Sequence, residues 1–407
     1  MPLSADLAQE LIDSILDFLH DDRESLLFSG LVARKWVPAT RYHLFERITV
    51  NHFFTRRAGH FFRDSAHSFL EICRSPHCTI IPAIQDVILN VDTDPAPVML
   101  RELVDMLRHA PISKILFIDH TKSFRDPISL TWMAPHFPGL REFVYNSLDR
   151  FVLDVFTLIT SFPELHRLSL YSNTRHAAKS AITQATPYPT AIPPAALTHL
   201  RTLRLRLFSD QSAGFMAWLR TSGDRIQLET LDIDIFHFYH NGWGPVAPLN
   251  AFLSANGKYL RNFGLRIRDG ELDLSGLTNL RTLSLSSHGV EAICTSLASL
   301  PSEPTLSSFE VAFREWIHYD DFPCACDPRF LVHEFADVMQ GAQFARLTQF
   351  TILVPAFFGD GGREALREYF PRWKDTDVLS VGFIDRFRVP VDSWEGVRDK
   401  LVGLGEG

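Results

Sequence analysis

The sequence predicts an α/β fold in two parts, a short all-helical N-terminal segment followed by an irregular array of parallel strands and crossover helices. Two observations predict it. Apolar residues recur at helical spacing in residues 7–19, and a short apolar motif returns again and again from residue 84 onwards. Strands that alternate with helices at a short period are typical of parallel sheets.

The N-terminal 50 residues predict three short helices. The apolar residues of the first recur with helical periodicity: Leu7, Leu11, Ile12, Ile15, Leu16, Phe18 and Leu19. Apolar stretches in 25–28 and 31–42 predict the other two helices, and a small internal core is expected from Leu26, Val32, Leu44 and Phe45. A unit this small barely buries its own apolar surface. We therefore expect the apolar stripe of the first helix to be buried, either against the rest of the chain or against a partner protein.

This ordered series of residues resembles an F-box. The resemblance covers residues 3–50, about an eighth of the 407 residues. It rests on Leu7-Ala8-Gln9-Glu10-Leu11, Ile15-Leu16, Leu19, Leu26, Ser29, Leu31-Val32-Ala33-Arg34-Lys35-Trp36 and Leu44-Phe45. The chain departs from the family at Ala8, where F-box sequences usually have Pro.

F-box proteins dock on the S-phase-kinase-associated adaptor of cullin–RING ubiquitin ligases. The resemblance therefore implies a substrate-receptor subunit, in which the box binds the adaptor and the remaining chain binds a target protein. The implied adaptor contacts are Leu7, Glu10, Leu11, Ile15, Leu16 and Trp36, although Trp36 is equally well explained as a core residue. Two alternatives stay open: an F-box scaffold that acts outside the ligase, and an enzyme built on the array.

The recurring motif consists of an apolar residue, two further residues, an apolar residue, one further residue and a third apolar residue. Ten copies begin at residues 84, 112, 140, 165, 200, 228, 260, 280, 306 and 347, and a weaker copy begins at 379. Motif and period resemble leucine-rich repeats, although the Asn or Cys of that motif is mostly missing. The resemblance implies an irregular solenoid with a curved parallel sheet.

The predicted domain organisation follows from these two patterns. We expect an F-box in residues 1–50, a helical linker that caps the first repeat in 51–83, and the solenoid in 84–407. Residues 174–196 are rich in Ala, Thr and Pro and predict a long loop.

Charged residues align when three successive copies of the motif are placed side by side. Side chains alternate along a strand, so the residues between the apolar positions face the open side of the sheet. The expected rows are Arg204–Asp232–Gly264 and Arg206–Asp234–Arg266. One interpretation is a set of cross-strand charge pairs worth about 0.2–1 kcal/mol each. The other is a recognition patch for the target protein, in which Gly264 leaves a notch.

Composition and motifs argue against several other functions. The net charge of −8 argues against a nucleic-acid surface over the whole chain, and no apolar run is long enough to predict a membrane span. Five sparse cysteines favour a reduced cytoplasmic or nuclear protein. Nucleotide-binding, nucleophile-elbow and zinc-protease motifs are missing from the sequence. We therefore expect no catalytic residues, no cofactor and no enzyme activity.

One cluster invites a metal proposal. Cys324-Ala325-Cys326 lies near His318 and His333 in the sequence. The spacing of the two cysteines is shorter than that of the usual zinc pairs, so we predict no metal site.

Overall fold

The computed structural model describes residues 8–52, 65–91, 97–119, 131–147, 158–172, 197–221, 225–236, 246–266, 270–287, 290–303, 305–313, 328–355, 364, 366–374 and 376–384. The chain divides into two compact units. Unit 1 comprises residues 1–185 and 195–197, and unit 2 comprises residues 186–194 and 198–407.

Unit 1 begins with three short helices, as the sequence predicts. They are α1 (Gln9–Phe18), α2 (Arg23–Val32) and α3 (Val37–Phe45), with a 3₁₀ turn at Arg34–Trp36 before α3. Both α1 and α2 pack against α3. Asp22 caps α2, because its Oδ1 accepts a hydrogen bond from the Ser25 backbone N–H at 3.0 Å.

Five parallel strands of unit 1 follow in chain order. They are β1 (Arg47–His52), β2 (Asp86–Val91), β3 (Lys114–Asp119), β4 (Glu142–Ser147) and β5 (Arg167–Ser172). Helix α4 (Ser65–Arg74) lies between β1 and β2 in the chain, and α5 (Pro97–Leu107) lies between β2 and β3. Val50 and Leu89 of the sheet line a small cavity together with Ala66 of α4 and Leu103 of α5. This row of the sheet therefore faces the crossover helices.

Unit 2 repeats the same arrangement with seven parallel strands in chain order. The strands are β6 (Thr202–Phe208), β7 (Thr230–Phe236), β8 (Asn262–Arg266), β9 (Thr282–Ser287), β10 (Ser308–Phe313), β11 (Gln349–Pro355) and β12 (Leu379–Ile384). The helices are α6 (Ser209–Thr221), α7 (Val246–Asn256), α8 (Val290–Ala298) and α9 (Pro328–Met339). Phe309 of β10 and Phe350 of β11 both contact Phe335 of α9, which places the core between strands and helices.

A backbone hydrogen-bond pattern recurs where successive strands begin. A single carbonyl oxygen accepts from two consecutive N–H groups of the next repeat. In unit 1 the oxygen of Glu46 accepts from Gln85 and Asp86, and in unit 2 the oxygen of Arg201 accepts from Glu229 and Thr230. The repetition explains why the strands stay in register although the loops between them differ in length.

The structure places a strand at every copy of the predicted motif, from β2 to β12. It corrects the expected domain boundaries, because β1 lies across residue 50 and pairs with β2. The sheet therefore begins at Arg47, inside the segment assigned to the box. Helix α4, within the segment predicted as a cap, lies in the chain between the paired strands β1 and β2 as a crossover helix. The predicted loop 174–196 lies outside the described residues.

Candidate binding surfaces

Helix α1 carries two apolar stripes that face different directions. Ile12 and Leu16 are fully buried and form the small core of the helical segment with Leu26 of α2. Leu11 and Ile15 each precede one of these buried residues and lie about 100° around the helix from it. Their side chains are 53% and 40% exposed. The stripe with Ile12 and Leu16 thus packs in the core, and the stripe with Leu11 and Ile15 lies on the surface.

Exposed apolar residues are found on α2 and α3 as well as on α1. Phe18 extends the outer stripe of α1 and is 87% exposed, and Leu31 of α2 is 83% exposed. Ten large apolar side chains of the described residues are exposed, and eight of them lie between residues 11 and 42: Leu11, Ile15, Phe18, Leu27, Phe28, Leu31, Val32 and Tyr42. Large exposed apolar patches mark interaction sites. We call these eight residues the helical face.

The predicted adaptor contacts differ in whether their side chains are exposed. Glu10, Leu11 and Ile15 are exposed, as the prediction requires. The prediction for Leu16 is wrong, because its side chain is fully buried in the core of the helical segment and offers no surface to a partner. Leu7 lies outside the described residues.

Two residues near the end of α2 differ from the expected core: Trp36 packs against it and Val32 does not. Trp36 is half-buried against Ile12 and Leu16, and its indole Nε1 is buried without a hydrogen-bond partner in the described part of the chain. Its ring therefore belongs to the internal core. Val32, expected in that core, is exposed instead.

Polar contacts hold the helical face in place. His43 of α3 lies with its Nε2 3.0 Å from Oδ1 of Asp17, which fixes the end of α1 against α3. At the start of α2, hydrogen bonds from the side chain and the backbone of Ser25 hold the pKa of the Asp22 carboxyl below its usual range. The first contact therefore joins α1 to α3, and the second caps the start of α2.

The predicted charge rows exist on the face of unit 2 opposite the core. Parallel pairing places Arg204, Asp232 and Gly264 in one row of β6–β8. It places Arg206, Asp234 and Arg266 in the next row. In-register stacking of the motif copies therefore produces the alternation of charge that the aligned sequence predicts.

Asp234 is the centre of the second row. Its Oδ2 accepts a hydrogen bond from Nη1 of Arg266 at 2.6 Å, and Nε of Arg206 lies 3.6 Å from the same oxygen. The other oxygen, Oδ1, is buried and has no hydrogen-bond partner among the described residues. One carboxylate thus compensates two guanidinium groups.

Asp232 and Gly264 do not form the expected notch. A Cβ atom at Gly264 would lie 2.7 Å from Oδ1 of Asp232, so the carboxylate already occupies the space that the glycine leaves. The side chain of Asp232 reaches solvent, yet surrounding protein displaces much of its hydration. This desolvation raises the pKa of Asp232, the neighbouring Arg204 and Arg266 oppose the rise, and the negative charge of Asp234 adds to it.

The corresponding face of unit 1 has a different character. In β2 and β3, residues are buried on both faces of the sheet, including Ile88, Leu116 and Ile118. In β8 burial alternates strictly, so only the core face is buried. The charged residues on this face of unit 1 lie instead in one row where the strands begin, formed by Arg47, Asp86, Lys114, Glu142 and Arg167.

Sequence reasoning missed part of both surfaces. Phe18 was counted in the apolar stripe of the first helix but not among the predicted adaptor contacts, although it lies seven residues after Leu11. Ser284 and Ser286 extend the charge rows onto β9, where they pair with Gly264 and Arg266. The alignment of a fourth copy of the motif would have shown them.

Other sites find little support in the described residues. No group of three or more His, Cys, Asp or Glu side chains there is arranged to hold a metal ion. The candidate cysteines 324 and 326, with His318, lie outside the described residues. None of the described helices has the length and apolar character needed to cross a membrane.

Comparisons with known proteins do not assign the chain to a family. No family model matches it, and no curated protein is significantly similar to it.

Proposed function

We propose that this chain is the substrate-receptor subunit of a cullin–RING ubiquitin ligase. In this proposal residues 8–45 form an F-box that binds the S-phase-kinase-associated adaptor and, through it, a cullin. The strand array is a divergent leucine-rich-repeat-like solenoid with a curved sheet, and it binds the target protein. The chain itself carries out no bond chemistry and takes no cofactor; it raises the concentration of the target near the ligase.

The helical face is the observation that carries the proposal. Eight large apolar side chains are exposed in a segment whose own core contains three fully buried apolar residues, Ile12, Leu16 and Leu26. An isolated protein gains nothing from leaving Phe18 and Leu31 in water. A partner that covers them gains the free energy of burying several large side chains, each worth about 1.5–3 kcal/mol when fully buried.

The exposed residues also agree with the resemblance in sequence. Leu11 and Ile15, two of the contacts that the F-box resemblance implies, lie on the outer stripe of α1. Glu10 precedes them and is exposed as well. The surface expected to meet the adaptor is therefore accessible in this chain.

Co-purification tests the proposal. Purified adaptor and cullin should be retained by the immobilised full chain, and a Leu11→Asp/Ile15→Asp double variant should retain neither. Ile72→Asp is the matched control, because Ile72 lies on α4 and is as exposed as Leu11. If the intact chain retains no adaptor, the proposal fails. Retention of the adaptor without the cullin would instead favour a scaffold that acts outside the ligase.

A further inference from the structure

A row of charged residues lies along the edge of unit 2 at which strands β6–β9 begin. The carbonyl oxygen of Arg201 accepts a hydrogen bond from the N–H of Glu229 at 2.8 Å. The oxygen of Glu229 accepts in the same way from Arg261 at 2.9 Å, and the oxygen of Arg261 accepts from Arg281 at 2.7 Å. These four residues therefore stand side by side, at about the 4.8 Å spacing of neighbouring strands.

Glu229 compensates only part of the positive charge of this row. Its carboxylate lies 3.9 Å from Nε of Arg201 and 3.8 Å from Nη1 of Arg261. Arg201 is further engaged, because its Nη1 donates a hydrogen bond to the carbonyl oxygen of Thr198 at 3.2 Å. Arg281 is exposed and forms no ion pair with any described residue. The guanidinium group of Arg281 is therefore accessible to a partner.

Lys258 adds a second accessible positive charge beside Arg281. It lies in the turn Gly257–Tyr259 before β8, is exposed, and forms no ion pair in the described part of the chain. Its carbonyl oxygen accepts a hydrogen bond from Nδ2 of Asn279 at 2.6 Å. Asn279 lies two residues before Arg281, so Lys258 and Arg281 occupy neighbouring turns at the same edge of the sheet.

The positive excess at this edge remains when the neighbouring charges are counted. The turns that lead into β6–β9, residues 197–201, 225–229, 257–261 and 277–281, contain one acid, Glu229, and five basic residues: Arg201, Arg225, Lys258, Arg261 and Arg281. The adjoining open face of β6–β10 is neutral, because three arginines there balance three acids: Arg204, Arg206, Arg266, Asp232, Asp234 and Glu310. Asp224, next to Arg225 in the chain, and Glu303, before β10, reduce the excess of four to two. We call the five basic residues the basic edge.

The size and composition of the basic edge favour a short acidic peptide segment. Exposed guanidinium groups offer paired donors that match carboxylates. The row from Arg201 to Arg281 crosses four strands, about 14 Å, which an extended segment of about four residues spans. A long nucleic-acid backbone would also meet Glu229 within the row and a chain whose net charge is −8. A local positive excess on such a chain is therefore suited to a small anionic group.

We propose that the basic edge binds a carboxylate-rich segment of the target protein. Lys258 and Arg281 supply the main contacts, because no acidic group of the described residues pairs with them, and Arg261 adds to them. The inference rests on the proposed function only in taking that segment from a target of the ligase. It names the chemical class that this receptor selects and places the contact at the edge of the sheet.

Fluorescence anisotropy with labelled peptides tests the site on the full chain. Two peptides of Gly and Ser carry four Glu or four Gln residues at the same positions, and a thymidine pentanucleotide carries four phosphate charges. We expect the Glu peptide to bind and the Gln peptide to bind at least about tenfold more weakly, because the Gln peptide cannot form charge-assisted hydrogen bonds. Binding of the Glu peptide should also weaken as salt is raised. Equal affinity for the two peptides, or tighter binding of the pentanucleotide than of the Glu peptide, would overturn the proposal.

Substitutions locate the binding. The double variant Lys258→Gln/Arg281→Gln should weaken binding of the Glu peptide by about tenfold. Its melting temperature should stay close to that of the wild type, because both side chains are exposed. Arg367→Gln/Arg372→Gln is the matched control, since it removes two exposed positive charges between β11 and β12, and it should bind as the wild type does. Unchanged affinity in the first variant, or an equal loss in the control, contradicts the site.

Adaptor retention, measured on the same preparations, separates the two proposals. The Leu11→Asp/Ile15→Asp variant should still bind the Glu peptide, and Lys258→Gln/Arg281→Gln should still retain the adaptor. A wild type that retains the adaptor but does not bind the Glu peptide rejects the acidic-segment site and leaves the ligase proposal standing. Peptide binding without adaptor retention does the reverse.

Discussion

In residues 8–45 more large apolar side chains are exposed than fully buried, whereas in β2–β12 every described apolar position of the motif is buried. The two regions are made from similar residues. Within each unit the strand array stacks each copy of the motif on the next, so its apolar rows cover one another. The helical segment has too few residues to do this. The contrast teaches that the array buries the apolar positions of its motif, whereas the helical segment leaves eight large apolar side chains exposed among the described residues.

Two phenylalanines give the largest contrast in stability. Phe309 is fully buried among Phe335, Phe344 and Phe350, so Phe309→Ala should lower the local free energy of unfolding by about 3–5 kcal/mol. Phe18→Ala should change it by no more than about 0.5 kcal/mol. Hydrogen exchange of the amides in β10 and α1 measures both, because a chain of two units need not unfold in one step. If Phe18→Ala strongly lowered the local free energy of unfolding, the Phe18 ring would have to be packed against the chain itself.

The two stripes of α1 sharpen the contrast within one helix. Leu16→Ala removes a fully buried side chain and should cost about 2–5 kcal/mol, which α1 would show as faster hydrogen exchange. Leu11→Ala, five residues earlier and on the outer stripe, should leave the exchange rates nearly unchanged. Equal effects of the two substitutions would show that the helix is covered on both sides in solution.

The smallest difference in stability is expected between substitutions of two aspartates on the charged face of unit 2. Asp234→Asn should cost about 1.5–3 kcal/mol, because the carboxylate accepts a charge-assisted hydrogen bond from Arg266. Asp232→Asn should instead raise the melting temperature slightly at pH 7. A raised pKa means that the folded chain holds the proton of Asp232 more tightly than the unfolded chain does. Ionisation of Asp232 therefore costs stability above that pKa.

The pH dependence provides the control for Asp232. Below the ordinary Asp pKa of about 3.9, the wild-type carboxyl is protonated in both states, so the difference between wild type and Asp232→Asn should vanish. Melting curves from about pH 3 to pH 7 measure it. A wild type that is more stable than the variant at neutral pH would contradict the assigned direction.

The strand array could be predicted because its information is local and repeated. Each copy of the motif specifies one strand, and in-register stacking of parallel strands then brings Arg206, Asp234 and Arg266 into one row. The first strand was missed for a definite reason. Phe45-Glu46-Arg47-Ile48-Thr49-Val50 fits the motif, but its first residues also fit the end of the F-box pattern.

The helical face could be predicted only in part. Apolar residues at positions 11, 15 and 18 and at positions 12, 16 and 19 share the same helical period, so the pattern cannot tell which stripe faces inward. That choice depends on how α3 packs against α1, which no local pattern encodes. The carboxylate of Asp232 over Gly264 is a similar case, because the direction of a side chain depends on its neighbours.

Isothermal titration calorimetry of the purified adaptor into the full chain, repeated at several temperatures, tests the role of the helical face most directly. We expect binding with a clearly negative heat-capacity change, since apolar surface is removed from water. The Leu11→Asp/Ile15→Asp variant should lose this binding, and Ile72→Asp should keep it. Absence of binding to the intact chain, or equal affinity for the double variant, would show that the exposed side chains of α1 are not the partner surface.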